Sequence, residues 1–178
     1  MNPSAYFVHG LTDSVRERNA VIFLGMNIIP AAGPKAIKKY QIPEHGVLEL
    51  NVPTSWTIEV HQTQKDMSLT IIFKPAKETD FQVLITVLWN KTGEQDFHTP
   101  DKIKTFIEND GQNILPKAVE TKLVVQQIRG VNSIGYYYSL TDKTPKPGEY
   151  RYITREGIGV GDLLLNFTPS TGRKNLNP

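Results

Sequence analysis

The chain predicts an α+β domain, a mainly antiparallel sheet of about six to seven strands with helical cover. Three observations carry that class. Apolar and polar residues alternate with a period of two in successive short runs from 47 onward, the signature of half-buried strands. One strong helix start, Thr99-Pro100-Asp101, sits between strand runs and does not alternate with them, which disfavours a parallel sheet. Residues 81–90 are apolar on both faces, with Phe81, Val83, Ile85, Val87 and Trp89 on one side and Leu84 and Leu88 on the other. Such a strand lies mid-sheet with a layer on either side.

The elements follow in order. Over 47–52, Leu48, Leu50 and Val52 face away from Glu49 and Asn51. Pro53-Thr54-Ser55 turns the chain. Over 56–61, Trp56, Ile58 and Val60 alternate with Thr57, Glu59 and His61. A polar turn at 62–66 leads to a strand over 68–74, where Leu69, Ile71 and Phe73 share a face. After a turn at 77–80 comes the 81–90 strand. Thr99 then stands at the helix cap, Pro100 suits the first helical position and Asp101 complements the dipole. Ile103, Phe106, Ile107, Ile114 and Leu115 form the apolar stripe, and Pro116 ends the helix near Leu115. Another strand is expected over 121–129. Strands over 136–140, 150–154 and 158–167 form a closing meander, with Arg155-Glu156-Gly157 as its second turn.

This reading divides the chain into an N-terminal extension at 1–39, a single domain at 40–168 and a polar tail at 169–178. The sheet needs two covering layers, and one helix supplies one of them. Residues 169–178 are too polar for an amphipathic helix. Either the segment 20–39 covers the other face, or apolar surface stays open for a partner. The same N-terminal region carries Arg16 and Arg18, an apolar run over 20–29 and then Pro30-Ala31-Ala32-Gly33. That order matches a secretory signal in outline, interrupted by Gly25 and Asn27. The alternative is a strand or short helix packed on the domain. The run is too short to span a bilayer.

Composition excludes several chemistries. Twenty basic and 18 acidic residues give a net charge of +2, and they are interspersed. Lys35, Lys38 and Lys39 make the densest basic group. No basic face suited to nucleic acid emerges. The absence of cysteine removes disulfides, thiol nucleophiles and Cys-bound metals.

The most distinctive stretch is the hairpin at 136–152. Tyr136, Tyr137 and Tyr138 lead into it, and Tyr150 and Tyr152 lead out. If the two strands pair, an aromatic ladder forms. It offers a platform for a ligand or a protein anchor, or else ordinary sheet packing. Between the strands runs Asp142-Lys143-Thr144-Pro145-Lys146-Pro147-Gly148-Glu149. Its two prolines stiffen it, and Lys143 and Lys146 suit an acidic partner. The plainer reading is a rigid connection. Asp142, Lys143, Lys146 and the five tyrosines are the candidate contact residues.

Other constellations are weaker. Glu59 and His61 share a strand face and, with Asp142, make a notional acid–base or metal site, though two ligands do not make a site. None of His9, His45, His61 and His98 stands at metal-ligand spacing from another His, and Glu44-His45 is the other close carboxylate pair. Ser133, Ser139, Asp142 and His98 lack a nucleophile elbow. Gly157, Gly159 and Gly161 run into a strand, which suits close backbone packing and not a phosphate cradle. Asn90-Lys91-Thr92 and Asn166-Phe167-Thr168 match glycosylation sequons, the second inside an expected strand.

Three features together resemble one family. They are the opening Gly46-Val47-Leu48-Glu49-Leu50-Asn51-Val52-Pro53-Thr54-Ser55-Trp56, the central helix, and the closing strands entered through Gly135-Tyr136-Tyr137-Tyr138. Over residues 40–167 the chain resembles the Mog1/PsbP-like fold, especially its small secreted bacterial members. The resemblance implies an α/β/α sandwich and a binding module, not an enzyme. It lends no catalytic residue and no cofactor. Its members include photosystem subunits, a Ran-GTPase cofactor and bacterial envelope proteins. They close with a helix after the last strand, whereas here a polar tail follows Phe167.

The expected function is therefore a non-enzymatic binding module, exported or periplasmic, that contacts a protein or envelope component through the 136–152 surface. It needs no cofactor, no metal and no nucleic acid. One alternative is a hydrolase or metal-dependent enzyme using Glu59, His61 and Asp142. A second is a cytosolic chaperone that holds a client helix on an uncovered sheet face.

Overall fold

The computed structural model describes residues 21–24, 34–43, 45–62, 68–77, 80–89, 98–129 and 133–173; at 21–24 and 173 it describes the backbone. His9, Glu44, the sequon at 90–92 and most of the N-terminal apolar run lie outside these residues.

Alternating sequence becomes strand where expected. Gly46–Pro53 (β3), Trp56–His61 (β4), Leu69–Pro75 (β5) and Phe81–Trp89 (β6) match the runs read from the sequence. Two further strands, Val21–Leu24 (β1) and Lys35–Ile42 (β2), precede them. The helix Pro100–Ile114 (α1) starts at its Thr-Pro-Asp signal and passes into a 3₁₀ turn over Leu115–Lys117. Then come Gln126–Arg129 (β7), Ile134–Thr141 (β8), Tyr150–Val160 (β9) and Leu163–Arg173 (β10).

Seven strands form the main sheet in the order β4-β5-β6-β10-β9-β8-β7, with antiparallel pairings throughout. Strand β6 lies between β5 and β10, as its two-faced apolar pattern demands. Val83, Ile85 and Val87 are fully buried on one face. On the other face, Leu88 packs with the helix core.

The two layers differ in kind. Helix α1 sets Ile103 and Ile107 against Tyr138, Leu140 and Leu164. The opposite layer is a second sheet, β1-β3-β2, where an α/β/α sandwich would place a helix. It buries Ile42, Leu48, Leu50 and Val52 against Ile71, Phe73, Ile85 and Phe167. Strand β3 thus belongs to this second sheet. The buried residues of this layer lie at 42–52 and not in the segment 20–39 expected to cover the face, where no described side chain is buried. The layer's form is β because Lys35–Ile42 pairs antiparallel along the whole of β3.

Two boundaries also differ. The strand expected over 121–129 is regular only from Gln126, because Leu123 leaves the sheet to pack on Gly111 of α1. Arg155-Glu156-Gly157 is not a turn. Strand β9 runs through it, and the chain reverses at Gly161-Asp162, where Gly161 has φ +59°. Glycines 157 and 159 let the helix approach closely. A Cβ on Gly157 would lie 3.1 Å from Ile103 Cγ2, and one on Gly159 would lie 2.4 Å from the His98 carbonyl oxygen. Strand β10 then pairs with both β6 and β9 as far as Thr171, past the Phe167 end read from the sequence.

Candidate functional site: a groove beneath the β8–β9 loop

Register decides what the tyrosines do. Strands β8 and β9 pair, but Tyr136, Tyr137 and Tyr138 stand opposite Gly157, Glu156 and Arg155. Tyr152 stands opposite Thr141. No aromatic ladder forms. Tyr138 is 1% exposed, under the helix, and donates its hydroxyl to Asp110. Burial first, then that carboxylate, pushes its phenol above the ordinary range. Tyr136 packs against the same core. Tyr137 points to the other face and donates to Gln126 Oε1 at 2.7 Å. Its pKa is raised by burial and by the neighbouring Glu156. Tyr152 is 46% exposed, with the Arg151 guanidinium 5.9 Å from its ring centre.

The loop residues do gather. Asp142, Lys143, Lys146 and Tyr150 line a groove of about 960 Å³. Its floor is one row of the main sheet. Gln82 pairs with Ser170, and Ser170 with Ile153. Lys74 lies one residue beyond the Phe73–Val83 pair and extends the row onto β5. The far wall is Pro116-Lys117 at the end of α1. Sequence reading missed Lys74, Gln82, Lys117, Ile153 and Ser170. Only the register of four strands brings them together.

Backbone hydrogen bonds hold the wall. Lys143 N–H donates to the Lys117 carbonyl at 3.0 Å, and Val119 N–H to the Thr141 carbonyl at 2.7 Å. Ala118 and Asp142 form an isolated bridge. Inside the loop, Asp142 Oδ1 accepts the Thr144 N–H at 2.8 Å, and Glu149 Oε2 accepts the Lys146 N–H at 2.9 Å. A wall built this way is set before any ligand arrives, which lowers the ordering cost of binding.

The acid–base alternative does not assemble. Glu59 pairs with Lys74 at 2.9 Å and lies 3.6 Å from His61 Nε2. The Lys74 ammonium, through its hydrogen bond and charge, holds the Glu59 carboxyl below its ordinary value. Strand β4, which carries Glu59 and His61, is separated from β8, which leads into Asp142, by five strand positions, roughly 24 Å. Among the described residues no three His, Asp or Glu side chains cluster to hold a metal. Ser139 is engaged with Thr154 Oγ1 at 2.8 Å. Asn166 lies within β10 with its amide oxygen buried.

Among the described residues no continuous apolar sheet face stands open for a client helix. One face of the main sheet is covered by β1-β3-β2. By strand alternation, the other face beyond the helix bears Thr70, Thr86, Thr168, Gln82 and Ser170 with Ile72 and Leu84 among them, a mixed surface and not a continuous apolar groove for a helix stripe. No helix among the described residues is long and apolar enough to cross a membrane.

No family model matches the sequence, and no curated protein matches it. In structure the chain is similar to the cyanobacterial PsbP (CyanoP) from Synechocystis sp. PCC 6803, at 14% sequence identity over 83% of this chain and 86% of that one, with a TM-score of 0.49.

Proposed function

We propose that the protein is a non-enzymatic binding module that takes a protein or envelope ligand in the groove beneath the 142–149 loop. One observation carries this reading. The stiff loop does not stand free but forms the pinned wall of a 960 Å³ groove that draws residues from four strands and the end of α1. A rigid concave surface with convergent polar groups is the usual form of a ligand site. An exported or periplasmic location belongs to the same proposal; the order Arg16, Arg18, apolar 20–29 supports it, and the pairing of Val21–Leu24 with β3 stands against a leader that includes them.

The test fills the groove. Gln82→Trp places an indole on its floor, away from the core side of β6. The immobilised full chain should capture a partner from an envelope extract, and the filled variant should lose it. Retention of every partner by Gln82→Trp, with an unchanged melting curve, removes the groove from the function. The mass of the native N-terminus, taken from fractionated cells, decides the location.

A further inference from the structure

Four lysines line the groove, Lys74, Lys117, Lys143 and Lys146, against two carboxylates, Asp142 and Glu149. Both carboxylates are turned back onto loop N–H groups. One oxygen of each carboxylate is engaged in shaping the wall, and the two together offset half of the four lysine charges. Lys143 Nζ donates to the Pro116 carbonyl at 3.3 Å and Lys74 pairs with Glu59. Lys117 and Lys146 enter no ion pair among the described residues. The groove thus holds an excess of positive charge, and three of its centres, Lys117, Lys143 and Lys146, have no counter-ion among the described residues.

Its dimensions limit the occupant. The floor crosses β5, β6, β10 and β9, three strand spacings, or roughly 14 Å. An extended polypeptide covers that span with about four residues. It would run across the strands and not along an edge. Contact is then by side chains, over a floor that offers the Gln82 amide and the Ser170 hydroxyl. A lipid surface would meet the loop rim alone and leave Lys74 and the floor untouched.

Resting on the binding-module reading, we propose that the ligand is an acidic segment of a partner protein, an extended stretch of about four residues whose Asp or Glu carboxylates meet Lys117 and Lys146. The attraction is between solvent-facing charges, so it weakens with salt.

Fluorescence polarisation with labelled tetraglutamate and tetralysine peptides tests this on the full chain. Tetraglutamate should bind and tetralysine should not. Raising salt from about 20 to about 200 mM should weaken binding several-fold. The Lys117→Glu/Lys146→Glu variant should lose about tenfold or more in affinity, while Lys35→Glu/Lys38→Glu, on the outer strand of the small sheet, should lose nothing. Equal binding of the two peptides overturns the proposal. So does undiminished affinity in the charge-reversed variant, or binding of phosphatidylglycerol vesicles without tetraglutamate. The two readings fail separately. If Gln82→Trp abolishes capture of the envelope partner and the lysine variant does not, the groove stands and the acidic ligand falls. If neither variant affects capture, both fall.

Discussion

Glu120 takes both hydrogen bonds that Thr141 can donate, the amide N–H on Oε2 and the hydroxyl on Oε1, each at 2.8 Å. The carboxylate acts as a short stand-in for a neighbouring strand at the end of β8. It holds the point where the chain leaves the sheet to build the groove wall. Burial raises the pKa of this carboxyl, but the Thr141 amide and hydroxyl outweigh it, and the net direction is down. A lowered folded pKa means stability present above the ordinary value of 4.5 and lost as the pH falls below it through the folded pKa. Glu120→Ala should cost about 1 kcal/mol in urea unfolding at neutral pH. Its deficit against the parent chain should shrink in acid.

Glu156 behaves in the opposite sense. It is 5% exposed, and desolvation raises its carboxyl to about 8. Its row neighbours are Phe167 and Tyr137, neither of which is a cation. In the unfolded chain the acid ionises near 4.5. Folding at higher pH must therefore return a proton to it. Its contribution is fully present below pH 4.5 and declines as the pH rises to about 8. Glu156→Gln should stabilise the protein at pH 7 by up to about 3 kcal/mol, with no gain at pH 4. Urea titrations at the two pH values distinguish this from a pH-independent packing change.

Close approach of the helix to β9 gives a graded pair of variants. An added methyl at Gly159 meets a backbone carbonyl at 2.4 Å, whereas at Gly157 it meets the side chains of Ile103 and Ile107 at 3.1 and 3.2 Å. Side chains yield more readily than backbone. Gly159→Ala should cost about 2–3 kcal/mol and Gly157→Ala about 1 kcal/mol or less. Thermal melts that reverse this order would mean that the start of α1 yields more easily than its middle.

Tyr138 tests the helix side of the core. Its hydroxyl donates to Asp110, whose Oδ2 lies 3.9 Å from Arg155 Nε. Tyr138→Phe keeps the ring and removes the bond. It should cost about 1–2 kcal/mol, with near-UV dichroism otherwise retained. Tyr138→Ala should cost about 3 kcal/mol or more through the cavity it leaves.

Much of this fold is legible in period-two alternation. Leu48, Leu50 and Val52 point to the core as the sequence has them, and so do Leu69, Ile71 and Phe73. The helix begins at Pro100 because the proline and Asp101 dipole signals are local, although the Thr99 side chain makes no capping hydrogen bond. What failed was non-local. Arg155-Glu156-Gly157 looks like a turn, since nothing nearby in sequence reveals that Ile103 and Ile107 fill the space beside Gly157. Alternation placed Tyr136 and Tyr138 on one face, but eight intervening loop residues set which β9 residues they oppose. The groove was half visible for the same reason. Asp142, Lys143, Lys146 and Tyr150 lie close together in one hairpin, whereas Gln82 and Lys74 join them through the β9–β10, β10–β6 and β6–β5 pairings.

The groove wall is fastened by main-chain atoms, at Lys143 N to Lys117 O and at Val119 N to Thr141 O. The ammonium groups of Lys117 and Lys146 take no part in that fastening. Their identities are therefore uncoupled from foldability. A descendant of this gene can exchange them for acidic, aromatic or small residues and so recast the charge and shape of the groove, while the scaffold beneath stays unchanged.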